Sequence, residues 1–122
     1  MPQNTGTRLV QYARQQVDDA LRTVLVLYDN DYEILYLRDD LKGSYSPEEY
    51  ESVAESFRIE MNAEASDWED APIGEKATVI HYHDSAYVFQ FPHEDCHSIL
   101  LSVEPRVGSR LKSFIDGCRE QI

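Results

Sequence analysis

Histidine and cysteine are the residues in this chain whose type and spacing suggest chemistry. His81-x-His83 sets two imidazoles on one face of an extended segment, which is how a metal site begins. His93, Cys96 and His97 offer nitrogen and sulfur ligands a short way downstream. The two groups fall at opposite ends of the strand that joins them. Six or seven residues at about 3.3 Å each separate them by roughly 20 Å, while zinc bonds are about 2 Å long. A joint site within one copy therefore fails. Two smaller sites remain: His81 and His83 completed by an acid or a second subunit, or His93, Cys96 and His97 alone. Both rank below a reading without metal, so the expectation is no metal and no cofactor.

Other reactive constellations find less support. Cys96 and His97 are neighbours, and neighbours on a strand point to opposite faces. The sequence has no serine elbow and no glycine-rich phosphate loop. Asp29-x-Asp31-x-Glu33 starts like a calcium loop. An EF-hand needs Gly at its sixth position and Glu at its twelfth, where Ile34 and Asp40 stand, so the segment reads as a turn. No residue is expected to be catalytic.

Composition narrows the function classes further. The chain carries 23 acidic against 11 basic residues, a net charge of −12 over 122 residues, and its lysines are Lys42, Lys76 and Lys112 alone. Such self-repulsion destabilises a compact state in dilute buffer. At molar salt the Debye length is about 3 Å and the repulsion is screened, so the surface suits a salt-rich cytoplasm. Phosphate contacts need clustered Lys and Arg and weaken steeply with salt, which argues against nucleic acid. Arg106, Arg110, Lys112 and Arg119 make the last helix the least acidic region. They are read as stabilising a helix C-terminus, ahead of docking an acidic partner. No apolar run approaches the roughly 18 residues of a membrane span. Met1 to Thr7 lacks the apolar stretch of a secretion signal, so the expected location is cytoplasmic. Two cysteines make no disulfide framework, and Cys118 on an apolar stripe reads as a buried thiol.

The elements that position these residues follow from periodicity. A single domain spans 1–122, with 1–6 expected to be disordered. Thr7 caps a first helix to about Arg22, with Leu9, Val10, Ala13, Val17, Ala20 and Leu21 on one face. Thr23–Tyr28 and Tyr32–Arg38 form a hairpin about Asp29-Asn30-Asp31. Ser46-Pro47-Glu48-Glu49 is a capping box opening a second helix, whose inward stripe is Tyr50, Val53, Ala54 and Phe57. An acidic loop holding Trp68 covers 62–74. Three strands follow, Glu75–His83, Ala86–Phe91 and His97–Val103. They place Tyr82 opposite Tyr87, Ile80 opposite Phe89, Ile99 beside Phe89 and Leu101 beside Tyr87. The opposite face holds Val79, His81, Val88, Gln90, Ser98, Leu100 and Ser102, and suits one covering helix. Glu104-Pro105 opens the last helix, with Val107, Leu111, Phe114, Ile115 and Cys118 inward. The fold class is α+β, a five-stranded antiparallel sheet with helices on both faces, ordered α-β-β-α-β-β-β-α.

That order resembles the roadblock and dynein light-chain fold of the profilin-like group, over roughly residues 7 to 121. The resemblance implies that the first and last helices share one sheet face and the middle helix covers the other. It also implies a homodimer interface from the middle helix and the edge strand, here Pro47 to Met61 with Glu75 to His83. A small GTPase or another nucleotide-driven machine is the partner it implies. Asp31–Asp40, Ser46–Tyr50, Ala86–Pro92 and Val103–Pro105 are similar to a family of small haloarchaeal proteins with no assigned activity. That similarity agrees with the salt reading and supplies no chemistry.

Tyr50, Phe57, Met61 and Trp68 are the candidate interface residues, because aromatic residues and Met are enriched in interfaces. They equally serve to close the monomer core. The expected function is a non-enzymatic adaptor or regulatory module, homodimeric and acting through protein contacts. The alternative is a small-molecule sensor with a ligand between helix and sheet, lined by Tyr32, Tyr36, Tyr82 and Tyr87. A histidine-based metal protein ranks last.

Overall fold

The computed structural model describes residues 2–62, 72 and 78–122. Its elements are α1 (Pro2–Val17), β1 (Leu21–Leu27), β2 (Tyr32–Leu37), α2 (Pro47–Asn62), β3 (Val79–Tyr82), β4 (Tyr87–Pro92), β5 (Ser98–Val103) and α3 (Leu111–Gln121). The fold is α+β, with the expected element order and a five-stranded antiparallel sheet. Most of the acidic stretch 62–74, and Trp68 within it, lies outside the described residues.

Both ends of α1 differ from the sequence reading. The helix begins at Pro2, so the stretch expected to be disordered is helical from there, and Thr5 and Gly6 are buried. Gly6 packs closely on the sheet: a Cβ there would meet the end of the Leu35 side chain, which would have to shift. The helix stops at Val17 because Asp18 takes a left-handed conformation, φ 46°, which ends helices and which Asp tolerates. Leu21 and Arg22 therefore belong to β1. By contrast, α2 starts as its capping box dictates. The Glu49 N–H donates to Ser46 Oγ at 3.2 Å, and the Ser46 N–H donates to Glu49 Oε1 at 3.0 Å. At the other end, Pro105–Arg110 forms a 3₁₀ turn, and α3 proper begins only at Leu111.

The strand order is β2-β1-β5-β4-β3, with β5 buried along its whole length. The β3–β4 register is the expected one, with Tyr82 opposite Tyr87 and Ile80 opposite Phe89. The β4–β5 register is shifted by two residues: Phe91 faces Ile99, Phe89 faces Leu101 and Tyr87 faces Val103. Pro92 joins β4 and pairs with Ser98, which tightens the connection. A shift of two keeps every side chain on its face, so the core assignment survives it.

Two clusters hold the layers together. On one face Leu9 and Ala13 of α1 and Phe114 and Cys118 of α3 pack on Val24, Phe89, Phe91, Ile99, Leu101 and Val103. Gly117 lets the two helices approach, since a Cβ there would strike the Tyr12 ring. On the other face Ala54 and Phe57 of α2 cover Leu25, Leu27, Val88 and Leu100. So the thick face takes two helices and the thin face one.

Candidate functional site

The histidines turn inward to one another more closely than strand counting predicts. Gln90, on β4, is fully buried. Its amide donates to Ser98 Oγ at 3.0 Å and to the Phe57 carbonyl at 3.2 Å. Both amide protons are then used, so Gln90 Oε1 is the acceptor, at 2.8 Å, of the His81 Nε2–H. Ser98 Oγ also makes a hydrogen bond of 3.0 Å with His97 Nδ1, its direction set by the imidazole tautomer. His81 and His97 are thus three hydrogen bonds apart, well inside the expected separation of about 20 Å. Side chains reaching diagonally across β3, β4 and β5 close the gap that counting along one strand leaves open.

This buried chain also ties α2 to the sheet, through the Phe57 carbonyl and through the edge-on stacking of Phe57 on the His81 ring at 4.6 Å. Sequence reading missed Gln90 and Ser98 as partners. Their signal was a Gln inside the apolar run Tyr87-Val-Phe-Gln-Phe91. His93 turns elsewhere, its Nδ1 accepting the Asp95 N–H at 3.1 Å. Among the described residues no group of three or more His, Cys, Asp or Glu side chains converges to hold a metal ion.

Both cysteines are free thiols. Burial pushes Cys118 up to about 12 and Cys96, half-buried beside Asp95, up to about 11. A thiol is nucleophilic only as thiolate, so neither is activated near neutrality.

A second missed residue is Arg58. It is 9% exposed, and its guanidinium donates to the carbonyls of Tyr28 at 2.6 Å and Asp31 at 2.7 Å and to Glu55 at 2.9 Å. It fastens α2 to the β1–β2 turn. Beside it is a recess of about 540 Å³ lined by Asp29, Asp31, Tyr32, Glu48, Glu51 and Glu55, among others.

The tyrosines proposed to share one pocket are separated. A bulge between Val24 and Leu25 shifts the β1–β2 register. Tyr32 consequently faces α2, where it meets Tyr50 at 6.0 Å, while Tyr36 packs in the α1 cluster under Arg14 at 5.5 Å. Tyr82 and Tyr87 pair at 5.0 Å far along the sheet.

Of the candidate interface residues, Tyr50 is half-buried against Tyr32 and Tyr45, and Phe57 is half-buried in the α2 cluster. Met61 belongs to α2, its side chain outside the described residues, as is Trp68 altogether. Among the described side chains of α2, the exposed apolar ones are Val53, expected to face inward, and Ile59. The edge strand β3 adds Ile80, 43% exposed, and Tyr82, 76% exposed.

The β3 edge has a defined hydrogen-bonding polarity. The His83 N–H donates to the Ala86 carbonyl at 2.9 Å. Alternation then makes His81–Val88 and Val79–Gln90 the hydrogen-bonded pairs, so the backbone groups of Ile80 and Tyr82 point outward. Among the described residues no strand lies on that edge. Between β3 and α3 runs a groove of about 440 Å³, lined by Thr78, Ile80, Leu111, Ile115 and Arg119, among others. Thr78 Oγ1 is buried with no hydrogen-bond partner among the described residues.

A family model described as "Domain of unknown function (DUF7522)" matches residues 7–122. No curated protein and no solved structure matches the chain.

Proposed function

We propose the following for this chain, which belongs to the DUF7522 domain family: it is a non-enzymatic interaction module that works as a homodimer joined through β3. One observation carries this reading. The outer segment Val79-Ile-His-Tyr-His83 contains no acid in a chain of net charge −12, and it exposes Ile80 and Tyr82 beside a backbone edge on which no strand lies among the described residues. An exposed apolar edge strand is an aggregation hazard unless it is covered, and natural edges are usually blunted by charge. A second copy covers this edge without bringing acid against acid. The likeness of the layered order to the roadblock fold supports the same surface.

The exposed Val53 and Ile59 of α2 would remain for a protein partner, which by that likeness is a small GTPase or another nucleotide-driven machine. The acidic surface suits work in the cytoplasm of a salt-loving archaeon.

Light scattering in multimolar KCl tests the dimer. The expected mass is about twice the 14.1 kDa of the chain, and Ile80→Lys, which places charge on the edge, returns it to one copy. A strict monomer at every concentration overturns the reading. A chain fully folded and stable in near-saltless water overturns the salt adaptation.

A small-molecule sensor is the second reading, and the recess beside Arg58 favours it. Its lining is acidic and Arg58 is bonded within the protein, so a cationic ligand suits it. Native mass spectrometry after mild purification tests for one, and an unliganded mass sinks it.

A further inference from the structure

We propose that the groove between β3 and α3 docks a helix of a protein partner, one with an acid in its first turn and two apolar side chains, one turn apart, beyond it. This surface is separate from the exposed Val53 and Ile59 of α2. It does not rest on the dimer reading, because it uses side chains on the α3 face and not the backbone edge of β3. The groove has a volume of about 440 Å³, with Ile80 on one wall and Leu111 and Ile115 on the other. Covering such apolar surface is favourable whatever the salt. Leu111, Ile115 and Arg119 stand at i, i+4 and i+8 on α3 and so form one line along it. At 1.5 Å per residue that line is about 12 Å long. A helix lying along it presents its own anchors at the same one-turn spacing.

Charge selects the partner. From Pro105 onward four bases stand against two acids, whereas the whole chain has 11 against 23. Two of those bases serve contacts within the chain: Arg106 bonds Asp19 and Glu104, and Arg110 bonds the Gln16 carbonyl. At the groove, Lys112 and Asp116 neutralise each other at 2.9 Å. Arg119 is left over, pairing with no acid among the described residues of a strongly acidic chain. At molar salt the Debye length is about 3 Å, so this guanidinium recognises an acid in contact and steers nothing from afar. Orientation follows from its position. Arg119 is in the last turn of α3, so an antiparallel helix brings its own first turn beside it. An acid there also suits that helix's dipole. Its next two turns then set apolar side chains over Ile115 and Leu111.

Fluorescence anisotropy in multimolar KCl tests the groove with two labelled helical peptides of about 16 residues, long enough to hold a helix. Both carry Leu one and two turns beyond the first turn; one has Glu in the first turn and the other Lys. The Glu peptide is expected to bind about threefold to fivefold more tightly. Arg119→Glu, at an exposed position, is expected to invert that preference, which a change in stability alone cannot do. Backbone NMR shifts at saturation are expected at Ile80, Leu111 and Ile115, and not at Val53 and Ile59. The proposal is overturned if neither peptide binds, if the preference survives Arg119→Glu, or if the shifts fall on α2. A scattering mass that halves as peptide saturates also overturns it, because a second copy of the chain then fills the groove.

Discussion

Replacing Arg58 by Met tests how α2 is held. Among the described side chains of α2 few apolar groups reach the sheet, and Ala54 is the buried one. Arg58 supplies much of what remains, through bonds of 2.6 and 2.7 Å to the Tyr28 and Asp31 carbonyls. Hydrogen bonds from a charged group contribute about 1.5–3 kcal/mol each. The third bond goes to Glu55, whose side chain is 60% exposed, and such pairs contribute under about 0.5 kcal/mol. Two effects reduce the total. The Asp31 carbonyl keeps the Tyr28 N–H at 2.8 Å, and the turn at Asp29, Asn30 and Asp31 is exposed, so water can replace the lost donors. Removing a buried charge also recovers its desolvation cost. The expected destabilisation is therefore about 2–3 kcal/mol, at or below the lower end of the pairwise sum. Arg58→Lys keeps the charge, loses the fork and lands at roughly half of that. The assay is urea unfolding at fixed multimolar KCl, because guanidinium is itself a salt. An unchanged slope with a lowered midpoint reports stability alone. A loss under about 0.5 kcal/mol would refute the claim that these bonds fasten the helix.

Three further outcomes are expected. Ser46→Ala removes the capping hydroxyl of α2 and lowers stability by about 1 kcal/mol, readable in the same urea titration; no change would mean the cap is idle. Gly117→Ala drives a methyl into Tyr12 at the α1–α3 crossing and costs about 1–3 kcal/mol, seen as a lower melting temperature, whereas a neutral result would mean the helices separate freely. Cys118 has a folded pKa raised by burial from 9.0 to about 12, so folding favours its neutral thiol. Its contribution is complete below about pH 9 and is lost as pH rises toward 12, because the unfolded chain ionises first. Cys96 acts in the same direction. Iodoacetamide at pH 8 should therefore leave Cys118 unmodified until urea unfolds the chain, and labelling at the rate of a free thiol contradicts this.

Local chemistry explains why most elements were legible in the chain. The α2 capping box, the Asp29-Asn30-Asp31 turn and the β3–β4 pairing each depend on a few adjacent residues. The two-residue period carried the face assignments through a register error in β5, because a slip of two preserves parity. Where local rules failed, a distant contact had overridden them. Thr7 is a plausible cap, yet α1 starts at Pro2, and Gly6 within it lies against Leu35, nearly thirty positions along the chain. Tyr32 and Tyr36 alternate onto one face only if β2 is regular, and the bulge opposite Val24 and Leu25 parts them.

The same division governs the sites. Periodicity and charge by themselves determined the acidic surface, the α+β layering, the thick and thin faces and the buried Cys118. These follow from residue type and spacing, which need no knowledge of what lies across the fold. Only the tertiary structure decided that His81 and His97 are joined through Gln90 and Ser98, that Arg58 clasps the β1–β2 turn, and that β3 is the outer strand among the described residues. Each depends on which strands become neighbours, and strand order is set by non-local pairing that no window along the chain contains.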